Sequence, residues 1–235
     1  MKPRLVIVGN GMAGLRLAEE LDALGAPYSV TIFGAEGRPA YNRIRLAEAL
    51  SGAEGDALTL RPAEWYLERG IELRADEAVL ALEPDSKRVR TAKGERPYDV
   101  LALAMGSEAL IPPIAGTHLD RVLRFRTLAD VEALRRRIRP GEDALVVGGG
   151  LLGLEAADGL ARAGMRVTVV HLMPHLLERQ LDAAAEWAFK REEAGPEGPA
   201  SSFPGLGSRQ RLSRNTRVST GELWAASRSA RTWTK

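Results

Sequence analysis

Two glycine-rich turns, GNGMAG at residues 9–14 and GGGLLG at residues 148–153, interrupt the chain in the same kind of context. Each follows a short apolar run, LVIV or ALVV, and each leads into a segment with apolar residues at helical spacing. A run rich in β-forming residues, YSVTIF or MRVTVV, comes after each helical segment. The sequence therefore predicts two βαβ units that are internal repeats, over residues 4–33 and 144–170.

Short β-like runs lie between the two units, where IELRA, EAVLALEPD, SKRVRTAKG and YDVLALA are separated by turn residues. We expect an antiparallel meander that returns to a buried strand. After the proline-rich link IPPIAG, the run LADVEALRRRIRPG predicts a helix that ends at Pro140 and Gly141. The expected fold class is α/β: two Rossmann-type βαβ units with a β-meander between them, the second unit being incomplete.

The spacing of glycines within the two turns indicates a chemistry. A G-x-G-x-x-G turn between strand and helix leaves room for a pyrophosphate against backbone N–H groups, where the helix dipole favours negative charge. The matching positions are Gly9, Gly11 and Gly14 in the first turn and Gly148, Gly150 and Gly153 in the second. One such turn is a weak signal, because glycine turns also end strands for structural reasons. Two of them, each between a strand and a helix, indicate two nucleotide-binding units.

An acidic residue about 20 positions after such a turn holds the ribose hydroxyls of a bound dinucleotide. After VTIF the candidate is Glu36, which could also be an exposed loop carboxylate. After VTVV the strand-end position is His171 instead of an acid. Its imidazole can donate to a ribose oxygen, or when protonated favour a 2′-phosphate, or simply face solvent. The choice between NAD and NADP therefore stays open.

The chain has no cysteine, which excludes disulfides, thiol catalysis and cysteine-ligated iron–sulfur clusters. The expected location is a reducing cytoplasm. The N-terminal apolar run is too short for a signal peptide, and no stretch approaches the length of a membrane span. The three histidines, His118, His171 and His175, lack metal-ligand spacing, so we assign no metal.

The periodic pattern stops near Gly195. Residues 195–235 are rich in Ser, Arg, Gly and Pro and hold seven basic and two acidic residues, whereas the preceding body is mildly acidic. We expect this basic tail to be disordered. Its arginines and two tryptophans could in principle contact nucleic acid, but they are scattered with no folded module around them, so nucleic-acid binding is disfavoured.

Several longer motifs resemble a known family. GNGMAG, VTIFGAE, PAYNR, YDVLALAMGS, IPPI, VVGGGLLGLEAADGL and above all VTVVHLMPHLLERQLD are similar to the N-terminal flavoprotein part of assimilatory NAD(P)H nitrite reductase large subunits. More broadly they resemble single-flavin pyridine-nucleotide reductases such as rubredoxin and ferredoxin reductases. The resemblance covers residues 4 to about 185.

The resemblance implies an FAD-dependent NAD(P)H oxidoreductase, in which hydride passes from nicotinamide to flavin and electrons then leave to an acceptor. The first turn would hold the FAD pyrophosphate, with Glu36 near the adenosine ribose and Arg43 beside the cofactor. The second turn would hold NAD(P)H, with Glu155 near the nicotinamide. The implied FAD residues are Gly9, Gly11, Gly14, Glu36, Arg43 and Gly106. The implied NAD(P)H residues are Gly148, Gly150, Gly153, Glu155 and His171.

The expected domains are a FAD-binding half-domain with its meander over residues 1–112, a partial NAD(P)H-binding domain over residues 113–194, and the tail. The resemblance is lost from about Glu186, so we expect the tail to be an out-of-frame or otherwise truncated ending. Self-association, or a partner that supplies the missing domain, would follow from apolar surfaces left uncovered. The alternative function is a non-catalytic nucleotide-binding fragment or an interaction protein with a basic tail.

Overall fold

The computed structural model describes residues 1–173, 176–177, 180–182 and 216–220. The helices are α1 (Met12–Ala23), α2 (Leu46–Leu50), α3 (Ala63–Glu68), α4 (Leu128–Arg135) and α5 (Leu151–Arg162). The strands are β1 (Arg4–Val8), β2 (Ser29–Phe33), β3 (Glu72–Arg74), β4 (Val79–Glu83), β5 (Arg88–Thr91), β6 (Gly94–Pro97), β7 (Val100–Leu103), β8 (Asp143–Val147), β9 (Arg166–His171) and β10 (Thr216–Thr220). No helix in the described ranges has the length and apolar character needed to cross a membrane.

The described chain divides into two compact units. Unit 1 consists of Met1–Arg45 and Glu54–Leu110, and unit 2 consists of Leu46–Ala53 and the chain from Ile111 onward. The sequence boundary at residue 112 did not anticipate that the eight residues Leu46–Ala53 group with unit 2. Each unit contains one of the two βαβ repeats, so the predicted α/β fold class with two Rossmann-type units is confirmed.

Unit 1 is built on a four-stranded parallel sheet in the order β3-β2-β1-β7. Its central strand β1 is buried on both faces. Leu5 and Ile7 belong to one apolar cluster with residues of α1 and α3, while Val6 and Val8 belong to another with Val89 of the meander. A strand buried on both sides is expected to be continuously apolar, which is why LVIV shows no alternation.

The meander between the repeats contains fewer strands than the sequence predicted. Strands β4, β5 and β6 form an antiparallel sheet of their own, as predicted. The run IELRA, which we assigned to the meander, instead forms β3 and pairs parallel with β2. The connection through α3 explains the difference, because a helix between two strands returns the chain to pair in the same direction.

Unit 2 contains a three-stranded parallel sheet in the order β10-β9-β8, with α5 packed against it. Val167 and Val169 of β9 are fully buried, whereas Leu145 and Val147 of β8 are 63% and 57% exposed. Strand β8 is an edge of the sheet among the described residues. No described residue therefore covers the apolar side chains of Leu145 and Val147 on this face of β8.

Strand β10 lies within the segment that we expected to be disordered. Its residues Thr216–Thr220 pair parallel with β9 from Val167 to His171, in the third-strand position of the repeat. The sequence TRVST contains three β-branched residues, which suits a strand. The expectation of disorder therefore fails for these five residues, and the rest of the basic tail lies outside the described residues.

Helix α2 packs on α4 and α5 within unit 2. A Cβ atom on Gly159 of α5 would lie 2.9 Å from Cδ2 of Leu50, so the absence of a side chain at Gly159 lets α2 approach closely. Helix α4 begins at a capping box, in which the Thr127 side chain accepts from the backbone of Asp130 and Asp130 accepts from the backbone of Thr127. This cap fixes where the helix starts.

Candidate dinucleotide-binding sites

The first loop, between β1 and α1, requires glycine at two positions for steric reasons. Gly9 has a φ of +114°, and a Cβ atom there would lie 2.2 Å from the carbonyl oxygen of Ala104. A Cβ atom on Gly14 would lie 2.0 Å from the carbonyl oxygen of Gly9. These two glycines let the loop fold tightly against β7 and let α1 begin directly above it.

The remaining glycine of this loop has a different environment. Gly11 is the N-cap of α1, and a Cβ atom there would meet no atom within 4 Å. No side chain caps the helix, and its first turn carries no acidic residue. No side chain therefore occupies the amide groups that start α1, and the positive end of the helix dipole there suits an anionic group.

The second loop, between β8 and α5, repeats this geometry in unit 2. Gly148 has a φ of +118°, and a Cβ atom on Gly153 would lie 1.9 Å from the Gly148 carbonyl oxygen. Gly150 is the N-cap of α5 and again has open space where a Cβ atom would stand. The glycine that packs the helix on the loop and the open N-cap glycine thus occur twice, whereas Gly148 differs from Gly9 in having no atom within 4 Å of a Cβ position.

The cradles fit the pyrophosphate of a dinucleotide. Each offers uncapped N-terminal amides beside a position where any side chain would fill the space next to them. The helices are 12 residues long, so the dipole is fully developed at both sites. This arrangement is what recognition of an extended diphosphate requires of a protein backbone.

Glu36 and Arg43, both singled out from the sequence, lie in contact. The Arg43 guanidinium donates to Oε1 of Glu36, and the Tyr41 hydroxyl donates to Oε2 of the same carboxylate at 2.8 Å. Arg43 also lies over the Tyr41 ring, with its Cζ atom 4.8 Å from the ring centroid. The three side chains are about one quarter exposed or less, so the carboxylate is held in a defined position after β2.

Asn10 and Tyr66 were missed by the sequence interpretation. The Asn10 side chain donates to the carbonyl oxygen of Arg38 and accepts from the fully buried Tyr66 hydroxyl. Burial raises the pKa of Tyr66, so its hydroxyl remains a proton donor. The contact fixes the middle of the first loop. A polar residue between the two leading glycines was the only available signal.

His171 occupies the end of β9, as predicted, but its observed partner is the second loop. The backbone N–H of Gly149 donates to Nδ1 of His171 at 3.0 Å. A Cβ atom on Gly149 would lie 2.9 Å from Cγ of His171 and 2.3 Å from Cδ2 of Leu176. With Nδ1 accepting, the neutral imidazole carries its proton on Nε2.

Helix α5 carries two buried carboxyl groups, at Glu155 and Asp158. Glu155 is 8% exposed and has no polar partner among the described residues, and burial raises its pKa. Asp158 pairs through Oδ2 with Arg162 at 2.9 Å, while its Oδ1 is buried without a hydrogen bond. Burial raises the pKa of Asp158 more than Arg162 lowers it.

Gly106 lies beyond the end of β7. Its φ is +72°, a conformation that favours glycine, and no atom lies within 4 Å of a Cβ position. The residue is exposed, as is Met105 before it. The backbone at Gly106 is therefore open to an additional group.

The chain matches known proteins over most of its length. Residues 3–193 match the family model described as pyridine nucleotide-disulphide oxidoreductase. The chain is 46% identical over 194 residues to nitrite reductase [NAD(P)H] of Bacillus subtilis, which covers 81% of this chain and 24% of that protein. It is 43% identical over 194 residues to the assimilatory nitrate reductase electron transfer subunit of the same organism, with 81% and 25% covered.

A solved structure gives the same result for the fold. The covalent putidaredoxin reductase–putidaredoxin complex contains a chain that is 28% identical, with a TM-score of 0.78, covering 93% of this chain and 50% of that one. The present chain thus spans about a quarter of the length of the two Bacillus relatives and half of this structural neighbour. On the extent of the family match, this chain belongs to the pyridine nucleotide-disulphide oxidoreductase family.

Proposed function

We propose that this chain is the FAD- and NAD(P)H-binding portion of an oxidoreductase of the nitrite reductase large-subunit type. The observation that carries the proposal is the repeated cradle, in which two uncapped 12-residue helices each begin at an open glycine. One dinucleotide site would suit a dehydrogenase with a single cofactor, whereas two sites suit transfer between two dinucleotides.

In unit 1 the proposed ligand is FAD. Its pyrophosphate lies against the amides at Gly11, in a loop shaped by Gly9 and Gly14. Glu36 accepts hydrogen bonds from the adenosine ribose, held in place by Arg43 and Tyr41. Arg43 also contributes positive charge near the diphosphate. Gly106 is proposed to contribute its exposed backbone beside the same cofactor.

In unit 2 the proposed ligand is NAD(P)H, with its pyrophosphate at Gly150 in the loop shaped by Gly148 and Gly153. His171 stands where Rossmann units often place a ribose-binding carboxylate. Its Nδ1 is already engaged by the loop, so a hydrogen bond to the ribose would come from Nε2. The buried Glu155 is proposed to lie near the nicotinamide, and its raised pKa favours a neutral carboxyl there.

The bound groups supply the redox chemistry, with hydride transfer from NAD(P)H to FAD and release of electrons to an acceptor. The contribution of this chain is binding and orientation: backbone amides hold two diphosphates, Glu36 fixes one ribose, and the buried helix faces limit access of water. We place the reaction in the cytoplasm, which suits a chain without cysteine.

A nucleotide-binding module without activity of its own is the second candidate. It is favoured by the uncovered apolar residues of β8, Leu145 and Val147, which would suit self-association or a partner that supplies further structure. We also propose a separate electron acceptor. The structural neighbour, which was solved in complex with putidaredoxin, is a precedent for such a redox partner.

Substitution of the two open glycines tests the assignment. Gly11→Ala and Gly150→Ala add a methyl group where no protein atom lies within 4 Å, so the fold should be retained. We expect Gly11→Ala to weaken FAD retention after gel filtration, at least about tenfold, and Gly150→Ala to weaken NADH or NADPH binding equally. Each variant should leave the other ligand unaffected.

The readouts are the flavin absorbance of the gel-filtered protein and a fluorescence titration with each nicotinamide nucleotide. Loss of both ligands in one variant, with an unchanged melting temperature, would contradict the assignment of separate sites. Bleaching of the flavin by anaerobic NADH or NADPH would distinguish the oxidoreductase from the non-catalytic module and would identify the donor.

A further inference from the structure

The arginines of the described residues fall into two groups. Outside residues 121–139, thirteen arginines have described side chains. Eleven of them form ion pairs with Asp or Glu: Arg4, Arg16, Arg43, Arg61, Arg69, Arg74, Arg88, Arg90, Arg96, Arg162 and Arg166. The other two, Arg38 and Arg45, also have interactions. Most arginines in this part of the described chain are therefore neutralised by neighbouring carboxylates.

Inside residues 121–139 the pattern is reversed. Five arginines there have neither a hydrogen bond nor an ion pair from the side chain to a described residue, and the side chain of a sixth contacts only the backbone carbonyls of Arg136 and Ile138. These six residues, which we call the arginine patch, are Arg121, Arg124, Arg135, Arg136, Arg137 and Arg139. All six are exposed.

The patch is also a local excess of charge. Residues 121–139 contain seven arginines, two carboxylates and no lysine, whereas residues 1–120 contain 14 basic and 18 acidic side chains. An unpaired cluster of like charge on an otherwise acidic chain raises the free energy of the folded protein through mutual repulsion. Stabilisation of the carboxyl end of α4 accounts for a cation in its last turn, but not for four arginines within five residues.

The geometry narrows the class of partner. The apolar side of α4, with Leu128 and Val131, is buried, so the helix has no free apolar face for insertion into a lipid surface. Phe125 is the only aromatic residue of residues 121–139 and is half-buried, so stacking with the bases of a nucleic acid has no platform here. Exposed guanidinium groups match carboxylates in bidentate geometry.

We propose that the arginine patch docks an acidic protein surface, and that its occupant is the protein that accepts electrons from this chain. The identification as an electron acceptor rests on the proposed function, whereas the docking of an acidic protein does not. Charge-steered contacts of this kind suit redox partners, which bind through small interfaces and exchange quickly.

The test uses a plant-type [2Fe–2S] ferredoxin as the acidic probe and the whole 235-residue chain immobilised for interferometry. The triple variant Arg135→Gln, Arg136→Gln, Arg137→Gln removes three charges from the patch. The matched control Arg88→Gln, Arg90→Gln, Arg96→Gln removes three charges from the meander, where each arginine is paired. Melting temperatures of both variants check that folding is retained.

We expect the patch variant to weaken ferredoxin binding by at least about tenfold at about 20 mM NaCl, and the control by less than about twofold. Wild-type binding should weaken steeply towards about 200 mM NaCl, and the patch variant should show a shallower dependence. Equal losses in the two variants, or no binding of the wild type at low salt, would overturn the proposal.

Three further outcomes would also overturn it. They are tighter binding of short single-stranded DNA than of ferredoxin, tighter binding of vesicles containing phosphatidylserine, and salt-sensitive dimerisation of the wild type that the patch variant lacks. Flavin retention is measured on the same samples. Ferredoxin binding by a protein that retains no FAD would support docking at the arginine patch and contradict the proposed function. Retained FAD without ferredoxin binding would support the proposed function and contradict the docking.

Discussion

The backbone N–H of Gly149 donates a hydrogen bond of 3.0 Å to Nδ1 of His171, which ties the second loop to the end of β9. In unit 1 the equivalent positions are Asn10 in the loop and Gly34 after β2, so the side chain and the glycine have changed places. A Cβ atom on Gly34 would lie 3.0 Å from Cβ of Asn10. In each repeat one polar side chain therefore lies against one glycine where the loop meets the end of the second strand. The side chain comes from the strand end in unit 2 (His171) and from the loop in unit 1 (Asn10).

Replacement of His171 should reveal how much this brace contributes. His171→Leu leaves the buried Gly149 N–H without an acceptor, and we expect a loss of about 1–3 kcal/mol, or roughly 2–12 °C in melting temperature. His171→Asn can place an amide oxygen close to the position of Nδ1 and should recover most of this stability. His171→Gln, whose oxygen lies farther out, should not. Equal melting temperatures for the Leu and Asn variants would refute the hydrogen-bond explanation.

The packing glycines of the two loops should respond alike to alanine. In Gly14→Ala and Gly153→Ala the new methyl group would lie 2.0 Å and 1.9 Å from a backbone carbonyl oxygen, so the loop or the helix must shift. We expect each substitution to cost about 1–3 kcal/mol or more in urea unfolding. This loss opposes the usual gain from Gly to Ala inside a helix, which makes the sign informative.

Gly25→Ala is not a suitable control for that experiment, because Gly25 has a positive φ. Gly11→Ala and Gly150→Ala are suitable, since both positions have negative φ and open space. Their free energy of unfolding should stay close to that of the wild type. A similar loss in all four variants would mean that the clash does not govern stability.

The buried carboxyl of Glu155 should make stability depend on pH. Its pKa is raised by burial, so the folded state disfavours the ionised form. The stabilisation from the neutral form is fully present below the ordinary value of 4.5 and is lost as the pH rises through the raised pKa. Glu155→Gln should therefore melt at a higher temperature than the wild type at about pH 7, and the difference should vanish towards about pH 4.5.

Thermal unfolding at these two pH values measures the effect, with the exposed Glu64→Gln as the matched control. A surface substitution of this kind is expected to change stability by no more than about 0.5 kcal/mol at either pH. A Glu155→Gln protein that is less stable than the wild type at neutral pH would show that the carboxylate is ionised and partnered in solution.

The contact between Gly159 and Leu50 predicts that substitutions at these two positions have coupled effects on the free energy of unfolding. Gly159→Ala would place a methyl group 2.9 Å from Cδ2 of Leu50, and we expect a loss of about 1–3 kcal/mol. Leu50→Val removes the clashing methyl group, but this substitution alone also lowers the free energy of unfolding. The double variant should be more stable than the sum of the two losses implies, as measured by a double-mutant cycle in urea. Simple additivity would argue against direct contact.

The two βαβ repeats could be predicted because their signals are local. Glycine spacing, apolar periodicity and β-branched runs lie within about 30 residues of one another, and short-range pattern determines the elements. The assignment of IELRA failed for the opposite reason. Three residues of β-type sequence do not specify their partner, and the pairing of β3 with β2 depends on α3 bringing the chain back.

The site was predicted in part. The steric roles of Gly9 and Gly14 follow from the motif, whereas the contact of Glu36 with Arg43 depends on how the loop after β2 folds. The hydrogen bond to His171 could not be anticipated, since the sequence gives the position of the ring but not its rotamer. The cofactor roles of the predicted residues remain predictions that the variants above can decide.

Helix α2 interrupts the continuity of both units. The chain leaves unit 1 at Arg45 and returns at Glu54, after contributing a buried apolar face to unit 2. During synthesis this face emerges well before the helices α4 and α5 that cover it. Any continuous segment that spans unit 1 therefore also carries this helix, and a nascent chain of about 110 residues exposes an apolar face that only later synthesis can bury. Order of assembly is thus built into the connectivity of this protein.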